Sequence, residues 1–325
     1  MERQRIVSRE TAAFADVAGT GSAFLLNASG CLDPLSAPCV ARSLDVCVTK
    51  TVTPLARGGN VPTRIAETDV GMLNSIGLAN PGRDRFVAEH LPRLRELGVP
   101  IWVSVGGFSA VDYGETCRLL DRCDGVAAIE LNVSCPNVEA SADAIEEIVG
   151  AARTATSRPL YTKLSPAVPD IAALAAAAAS AGTDGLSLVN TIRGLALDER
   201  TLAPRLGSAV GGLSGPALKP LALAAVFAVR RATELPIVGM GGVETGRDAL
   251  DLVAAGANAV ALGTVLFSDP GAPQRIRAEL EAELAARCLT LSEAHGAAHR
   301  FPNLRLEVEA SRPRKSLQMG RNKRG

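Results

Sequence analysis

Eight short runs of β-branched and aliphatic residues, set apart by helical or long connecting stretches, dictate the architecture open to this sequence. They lie near residues 23–26, 46–49, 101–105, 128–132, 159–163, 185–189, 236–239 and 259–262. Strands joined through helices pair in parallel, because a parallel crossover needs a dozen or more residues. The helix boundaries carry their own chemistry. Asp170 can cap a helix that stops at Gly182, and Thr245-Gly-Arg-Asp248 has the form of a capping box for a helix that stops at Gly256. An internal echo supports a repeating unit: 181–191 and 255–264 both read as helix end, tight turn and buried strand. Eight such units predict closure into a (β/α)8 barrel, with a doubly wound open sheet as the competing arrangement.

Length and composition agree with one barrel. The chain has 325 residues, 47% of them hydrophobic, enough for one large core in a single domain. Only 10 residues are aromatic (Phe 7, Tyr 2, Trp 1), so the core rests on aliphatic side chains. The formal net charge of zero speaks against nucleic acid as the partner. Seven cysteines stand at 31, 39, 47, 117, 123, 135 and 288 without a CxxC pair, which fits reduced thiols in a cytoplasmic protein. The charged start leads into no apolar run, and the alanine-rich stretch at 171–181 is too short to span a membrane. The barrel is expected over 1–310, with 311–325 a basic, disordered tail holding six cationic residues and no acidic one. Two long connections, 51–81 and 192–215, are loops of the length that usually serves function.

The polar residues fall at the strand ends. The runs end in Asn27-Ala-Ser-Gly30, Thr49-Lys50-Thr51, Asn132-Val-Ser-Cys-Pro-Asn137, Lys163-Leu-Ser-Pro166, Asn190-Thr191, Gly239-Met-Gly-Gly242 and Gly263-Thr264. In a barrel these ends converge on one mouth, where active sites lie. Gly241, Gly242, Gly263 and Thr264, after the seventh and eighth strands, read as a phosphate cradle, or else as simple turn chemistry. Lys50 and Lys163 sit in apolar surroundings, and a buried lysine needs an anion or a lowered pKa. A ligand that gains negative charge, such as a reduced flavin, meets that need; structural salt bridges and a Schiff-base lysine are the other readings. Cys135 lies among amides and hydroxyls at a strand end and can act as a general base, whereas Cys39, Cys47, Cys117, Cys123 and Cys288 read as inert buried thiols. Cys31 also lies near the mouth. His90, His295 and His299 fall in peripheral helices, away from every strand end.

These motifs resemble the class 1 dihydroorotate dehydrogenases over residues 25–269. The blocks are Asn27-Ala-Ser-Gly30, Val48-Thr-Lys-Thr51, Gly71-Met-Leu-Asn-Ser-Ile-Gly-Leu-Ala-Asn-Pro-Gly82 and Glu130-Leu-Asn-Val-Ser-Cys-Pro-Asn137. Tyr161-Thr-Lys-Leu-Ser-Pro166, Gly211-Gly-Leu-Ser-Gly-Pro216, Gly239-Met-Gly-Gly242 and Leu262-Gly-Thr264 follow in order. The wording of the Gly71 and Gly211 blocks is most similar to the NAD-linked, two-subunit (1B) catalytic subunit. The resemblance implies FMN bound through Ala28, Ser29, Gly30, Lys50, Thr51 and Asn132, with Lys163, Gly215, Gly241, Gly242, Gly263 and Thr264. It implies a pyrimidine held by Lys50, Asn74, Ile76, Gly77, Leu78, Asn132, Asn137, Asn190 and Thr191. Cys135 then removes a proton from C5 of dihydroorotate, and hydride leaves C6 for flavin N5, giving orotate for pyrimidine biosynthesis.

One departure stands out. Family members usually carry a Gly-Gly…Phe-Gly stretch after the Cys-Pro-Asn block; here Val138-Glu-Ala-Ser141 follows, several residues shorter, and a helix begins at once. The NAD-linked subfamily implies a second subunit carrying FAD and an iron–sulfur cluster. This chain has no cysteine cluster and no GxGxxG fingerprint, so by itself it is expected not to use NAD efficiently. A homodimeric core is expected as well. The competing functions are a related FMN barrel oxidoreductase acting on another pyrimidine (uracil or a tRNA uridine), a non-catalytic flavin-binding paralogue, and a lysine aldolase.

Overall fold

The computed structural model describes residues 24–133 and 141–300. Eight parallel strands form the centre. They are β1 (Leu25–Asn27), β2 (Cys47–Val48), β5 (Ile101–Val105), β6 (Val126–Asn132), β7 (Leu160–Leu164), β8 (Gly185–Leu188), β11 (Ile237–Met240) and β12 (Ala259–Leu262). Their order is β1-β12-β11-β8-β7-β6-β5-β2, and a parallel bridge from Leu26 to Val46 joins the two ends into a ring. All eight predicted runs are strands, within one or two residues at each end, and the open-sheet alternative falls. The ring seam is thin in backbone pairing. There the carboxamide of buried Asn27 stands in for a peptide: its Nδ2 donates to Val48 O at 2.7 Å and its Oδ1 accepts from Val48 N at 2.9 Å.

Period-two alternation sorts the strand residues into two environments. Leu26, Val48, Trp102, Ala128, Tyr161, Met240 and Ala261 form one cluster inside the barrel. The alternate residues, among them Leu25, Val103, Ile129, Leu131 and Leu164, join the helices in the larger outer core. Two of the few aromatics, Trp102 and Tyr161, stand inside the barrel with their rings 4.2 Å apart, whereas Phe86 and Tyr113 belong to the outer core. Helices Ala110–Asp121, Ala142–Ala155, Ile171–Ser180, Lys219–Arg230 and Gly246–Ala255 surround the ring. Asp170 accepts from the N–H groups of Ala172 and Ala173, and Thr245 with Asp248 forms the expected capping box. Gly256 ends that helix in the left-handed region at φ 115°. At the N-terminal end of the barrel, Arg158 donates to the carbonyls of Leu120, Asp121, Cys123 and Val126. Arg230 does the same for Thr233, Leu235 and Gly256. This end is closed by structural hydrogen bonds, which leaves the opposite end for function.

The long connections are not simple loops, which corrects the sequence expectation. They contribute β3 (Ile65–Thr68), β4 (Gly71–Asn74), β9 (Ile192–Leu195) and β10 (Val210–Ser214), an antiparallel sheet of order β3-β4-β10-β9. Asn74 pairs with Gly212 and Leu213 with Ile192, and Ala66, Leu73 and Leu206 form a small core of their own. Among the described residues, no helix is long and apolar enough to cross a membrane. The 311–325 tail lies outside the described residues.

Candidate active site

A cavity of about 810 Å³ opens at the C-terminal ends of the barrel strands, between the ring and the second sheet. Its size lies within the ordinary range for a cofactor or ligand pocket. Each expected site residue that the structure describes lines it. The flavin-side candidates are Ala28, Ser29, Gly30, Lys50, Thr51, Asn132, Lys163, Gly215, Gly241, Gly242, Gly263 and Thr264; the pyrimidine-side candidates are Asn74, Ile76, Gly77, Leu78, Asn190 and Thr191. Cys135 and Asn137 lie outside the described residues; Val133, just before them, lines the cavity.

The lysines meet as expected but are held differently. Lys163 is buried on β7, and its Nζ lies 3.7 Å from Oε1 of Glu130 on β6. The salt-bridge reading therefore holds for this lysine, although it also lines the cavity. Lys50 makes no hydrogen bond or ion pair with another described residue, and burial depresses its pKa, with a smaller push from Lys163. Gly30 takes φ 79°, and a Cβ there would meet the Lys50 side chain at 2.9 Å, so glycine leaves the lysine its channel. Cys31 lines the cavity beside them, and burial raises its thiol pKa despite both ammonium groups.

A ladder of uncharged polar groups runs across the mouth. Thr51 Oγ1 is its hub, lying 3.3 Å from Ser29 Oγ and 3.0 Å from Ser104 Oγ and accepting from Asn132 Nδ2 at 3.2 Å. Asn132 Oδ1 accepts in turn from Asn190 Nδ2 at 3.2 Å, and Asn190 Oδ1 accepts from the Thr191 N–H at 2.8 Å. The ladder fixes which end of each amide faces the cavity, something a lone amide cannot do. Tyr113, fully buried, donates to Asn132 O at 2.7 Å and anchors the strand end that leads to Cys135.

The loop expected on the pyrimidine side is also tied down. Leu78 takes φ 56°, a left-handed backbone that a leucine rarely adopts without outside support. Asn80 supplies that support: its Nδ2 donates to Leu78 O and to Thr53 Oγ1, each at 2.7 Å, and its Oδ1 accepts from Gly82 N at 2.8 Å. On the opposite wall Gly241 and Gly242 take φ 124° and 71°, and a Cβ on Gly242 would lie 2.7 Å from Lys219 Cβ. A Cβ on Gly263 would meet nothing nearer than 3.7 Å, so that backbone faces open space. These bare loops follow the seventh and eighth barrel strands, where the sequence leaves a phosphate cradle and simple turn chemistry both open.

Sequence reasoning assigned no role to Ser104, Asn80, Tyr113 or Glu130. It also misjudged the peripheral thiols: Cys47 and Cys117 are buried, but Cys123 is half-buried and Cys39 and Cys288 are exposed. The histidines stay clear of the mouth. His295 and His299 meet the carbonyls of Gly256 and Ala255 beyond the barrel helices, and none of the three lines the cavity.

Comparison with known proteins agrees with this fold. The family model described as dihydroorotate dehydrogenase matches residues 22–284. The catalytic subunit of dihydroorotate dehydrogenase B (NAD(+)) of Desulforudis audaxviator is 45% identical over 265 residues, covering 79% of this chain and 86% of the relative. Dihydroorotate dehydrogenase A (fumarate) of Lactobacillus delbrueckii subsp. bulgaricus is also 45% identical, over 250 residues, covering 74% and 81%. A crystal structure of the Eimeria tenella dihydroorotate dehydrogenase with ferulenol superposes with TM-score 0.72 at 24% identity, covering 85% of each chain, and shares the fold. With the family model spanning most of the chain and relatives of both the B and A kinds at equal identity, this chain belongs to the dihydroorotate dehydrogenase family, class 1, and is an oxidoreductase acting on a CH–CH bond.

Proposed function

We propose that this chain carries out the dihydroorotate oxidation of its family, in pyrimidine biosynthesis, with FMN seated in the mouth cavity. The observation that carries the reading is that two lysines, an oriented amide ladder and two bare glycine loops share one pocket. Gly241, Gly242, Gly263, Thr264 and Gly215 suit the phosphate end. Ala28, Ser29, Gly30, Thr51 and Asn132 suit the ring, with the ammonium groups of Lys50 and Lys163 near an edge that gains negative charge. When bound, FMN supplies the acceptor for the electron pair leaving the substrate.

The chain's own residues do the rest. Asn74, Asn132, Asn190 and Thr191, with the backbone at Ile76, Gly77 and Leu78 and the side chain of Asn137, offer the donors and acceptors that a ring of carbonyl and N–H groups requires. A site built that way rejects analogues lacking those groups by a large factor. Lys50, without a protein hydrogen bond or ion pair among the described residues, suits an anion such as the substrate carboxylate, whose charge would offset the burial that lowers the lysine's pKa. Cys135 takes the C5 proton as general base.

The test is direct. Anaerobic addition of dihydroorotate to the purified yellow protein bleaches the flavin absorption; a spectrum that stays unchanged overturns the reading. Cys135→Ser slows that bleaching at neutral pH by about 10²–10⁴-fold, because a hydroxyl is a far weaker base than a thiol. An unchanged rate removes Cys135 from the role. The relatives named as a catalytic subunit with NAD(+) support a partner subunit that passes electrons onward, for which FAD and an iron–sulfur cluster are our proposal, and the relatives named for fumarate support fumarate as the acceptor instead.

A further inference from the structure

Beneath the cavity floor, inside the barrel, lies a polar layer of which the proposed reaction uses Lys163 and leaves the other two members without a role. Glu130 on β6, Lys163 on β7 and Ser187 on β8 occupy inward-facing positions, since each stands in period with residues of the interior cluster. Lys163 pairs in register with Ser187. All three are buried, at 1%, 5% and 0% exposure. Only Lys163 reaches the cavity; Glu130 and Ser187 lie behind it. Glu130 Oε1 and Ser187 Oγ make no hydrogen bond among the described residues. The Glu130–Lys163 contact, at 3.7 Å, is an ion pair too long for a hydrogen bond.

A carboxylate in that position is expensive to bury and leaves its oxygen short of donors, so packing alone does not explain it. Its effect on the cavity is electrostatic. Lys163 presents positive charge to whatever occupies the site, and Glu130 subtracts from that charge through a medium of low dielectric. We propose that Glu130 is a positioning residue acting through Lys163: it lowers the positive potential at the flavin and so holds down the flavin's pull on electrons. The device lets the reduced cofactor pass its electrons onward instead of trapping them. The inference rests on the FMN reading, and the two fail separately. A purified chain that carries no flavin sinks the FMN reading. A chain that carries it but shows no response to Glu130 sinks only this inference.

The experiment measures the midpoint potential of the bound flavin by equilibration with redox dyes, in the wild-type holoprotein and in Glu130→Gln and Glu130→Asp. Loss of the carboxylate charge in Glu130→Gln favours the reduced flavin by about tenfold or more, an upward shift of about 30 mV for a two-electron couple. Glu130→Asp keeps the charge and stays within about threefold of wild type. A merely structural ion pair predicts weaker FMN retention in both variants with no rise in potential. That result, or equal shifts in the two variants, overturns the proposal. Should Glu130→Gln not fold, the wild-type protein still decides. Its oxidised-minus-reduced infrared difference spectrum carries a shifted carboxylate band if Glu130 feels the flavin charge, and the absence of such a band is the contrary result.

Discussion

Lys50 and Lys163 enter the same cavity under different conditions. Lys163 has a carboxylate behind it, whereas Lys50 has no described partner, and burial lowers its pKa from 10.5. In the flavin-free chain folding therefore disfavours the charged form of Lys50. Between the lowered folded value and 10.5 the unfolded state binds more protons, so native stability rises with pH across that window. Lys50→Met removes the strain: we expect the flavin-free melting temperature at pH 7 to rise by about 2–4 °C while dihydroorotate binding is lost. The gain should shrink as pH approaches 10.5. A variant that melts lower at every pH contradicts the account. Much of this site could be read from the sequence at residue level, because a lysine or asparagine closing an apolar run is hard to account for without a ligand. Glu130 was not readable in the same way. It stands in mid-strand, and only the inward parity fixed by closure shows which lysine it faces. Ser104 lies within an apolar run and Asn80 precedes a proline, and neither position announces the partner its side chain finds.

Elements flanking the Gly241–Gly242 loop are joined to each other. The Lys219 ammonium, at the head of the Lys219–Arg230 helix, contacts both Asp248 and Asp251 of the Gly246–Ala255 helix. Burial works against ionisation of Asp248, but Lys219 and the N–H groups of Glu244 and Thr245 overcome it and hold its carboxyl below 3.8. A carboxylate with a depressed folded pKa contributes stability above its unfolded value and loses it as pH falls through the folded one. Asp248→Asn should cost about 1–2 kcal/mol at pH 7, with the cap and the ion pair both weakened. Thermal melts should show the gap from wild type closing as pH drops below 3.8. A gap independent of pH would point to packing instead. The caps at Asp170 and Thr245 and all eight barrel strands were legible, because capping chemistry and buried aliphatic runs are local signals. The antiparallel sheet was not. Ile65–Thr68, Gly71–Asn74, Ile192–Leu195 and Val210–Ser214 are short and partly glycine-rich, and their pairing joins residues as distant as Asn74 and Gly212. No local pattern announces a partner that far along the chain.

At the scale of the molecule, one end of the barrel is stitched shut by arginines and the other holds the cavity. Nothing in the sequence resembles a dinucleotide fingerprint, so the purified chain should reduce its flavin with dihydroorotate yet give negligible NAD reduction until an electron-transfer subunit is added. Robust NADH formation by this chain by itself would overturn that division of labour. The cover of the cavity has a consequence of its own. β4 leads directly into the cavity-lining Asn74–Leu78 loop, and β10 leads directly into Gly215, so both walls hang from one weave of two remote segments. Side chains in such a weave alternate faces residue by residue. A single-residue insertion in either thread turns its neighbours inside out against the other, so the two stretches can drift over evolutionary time only as a matched set.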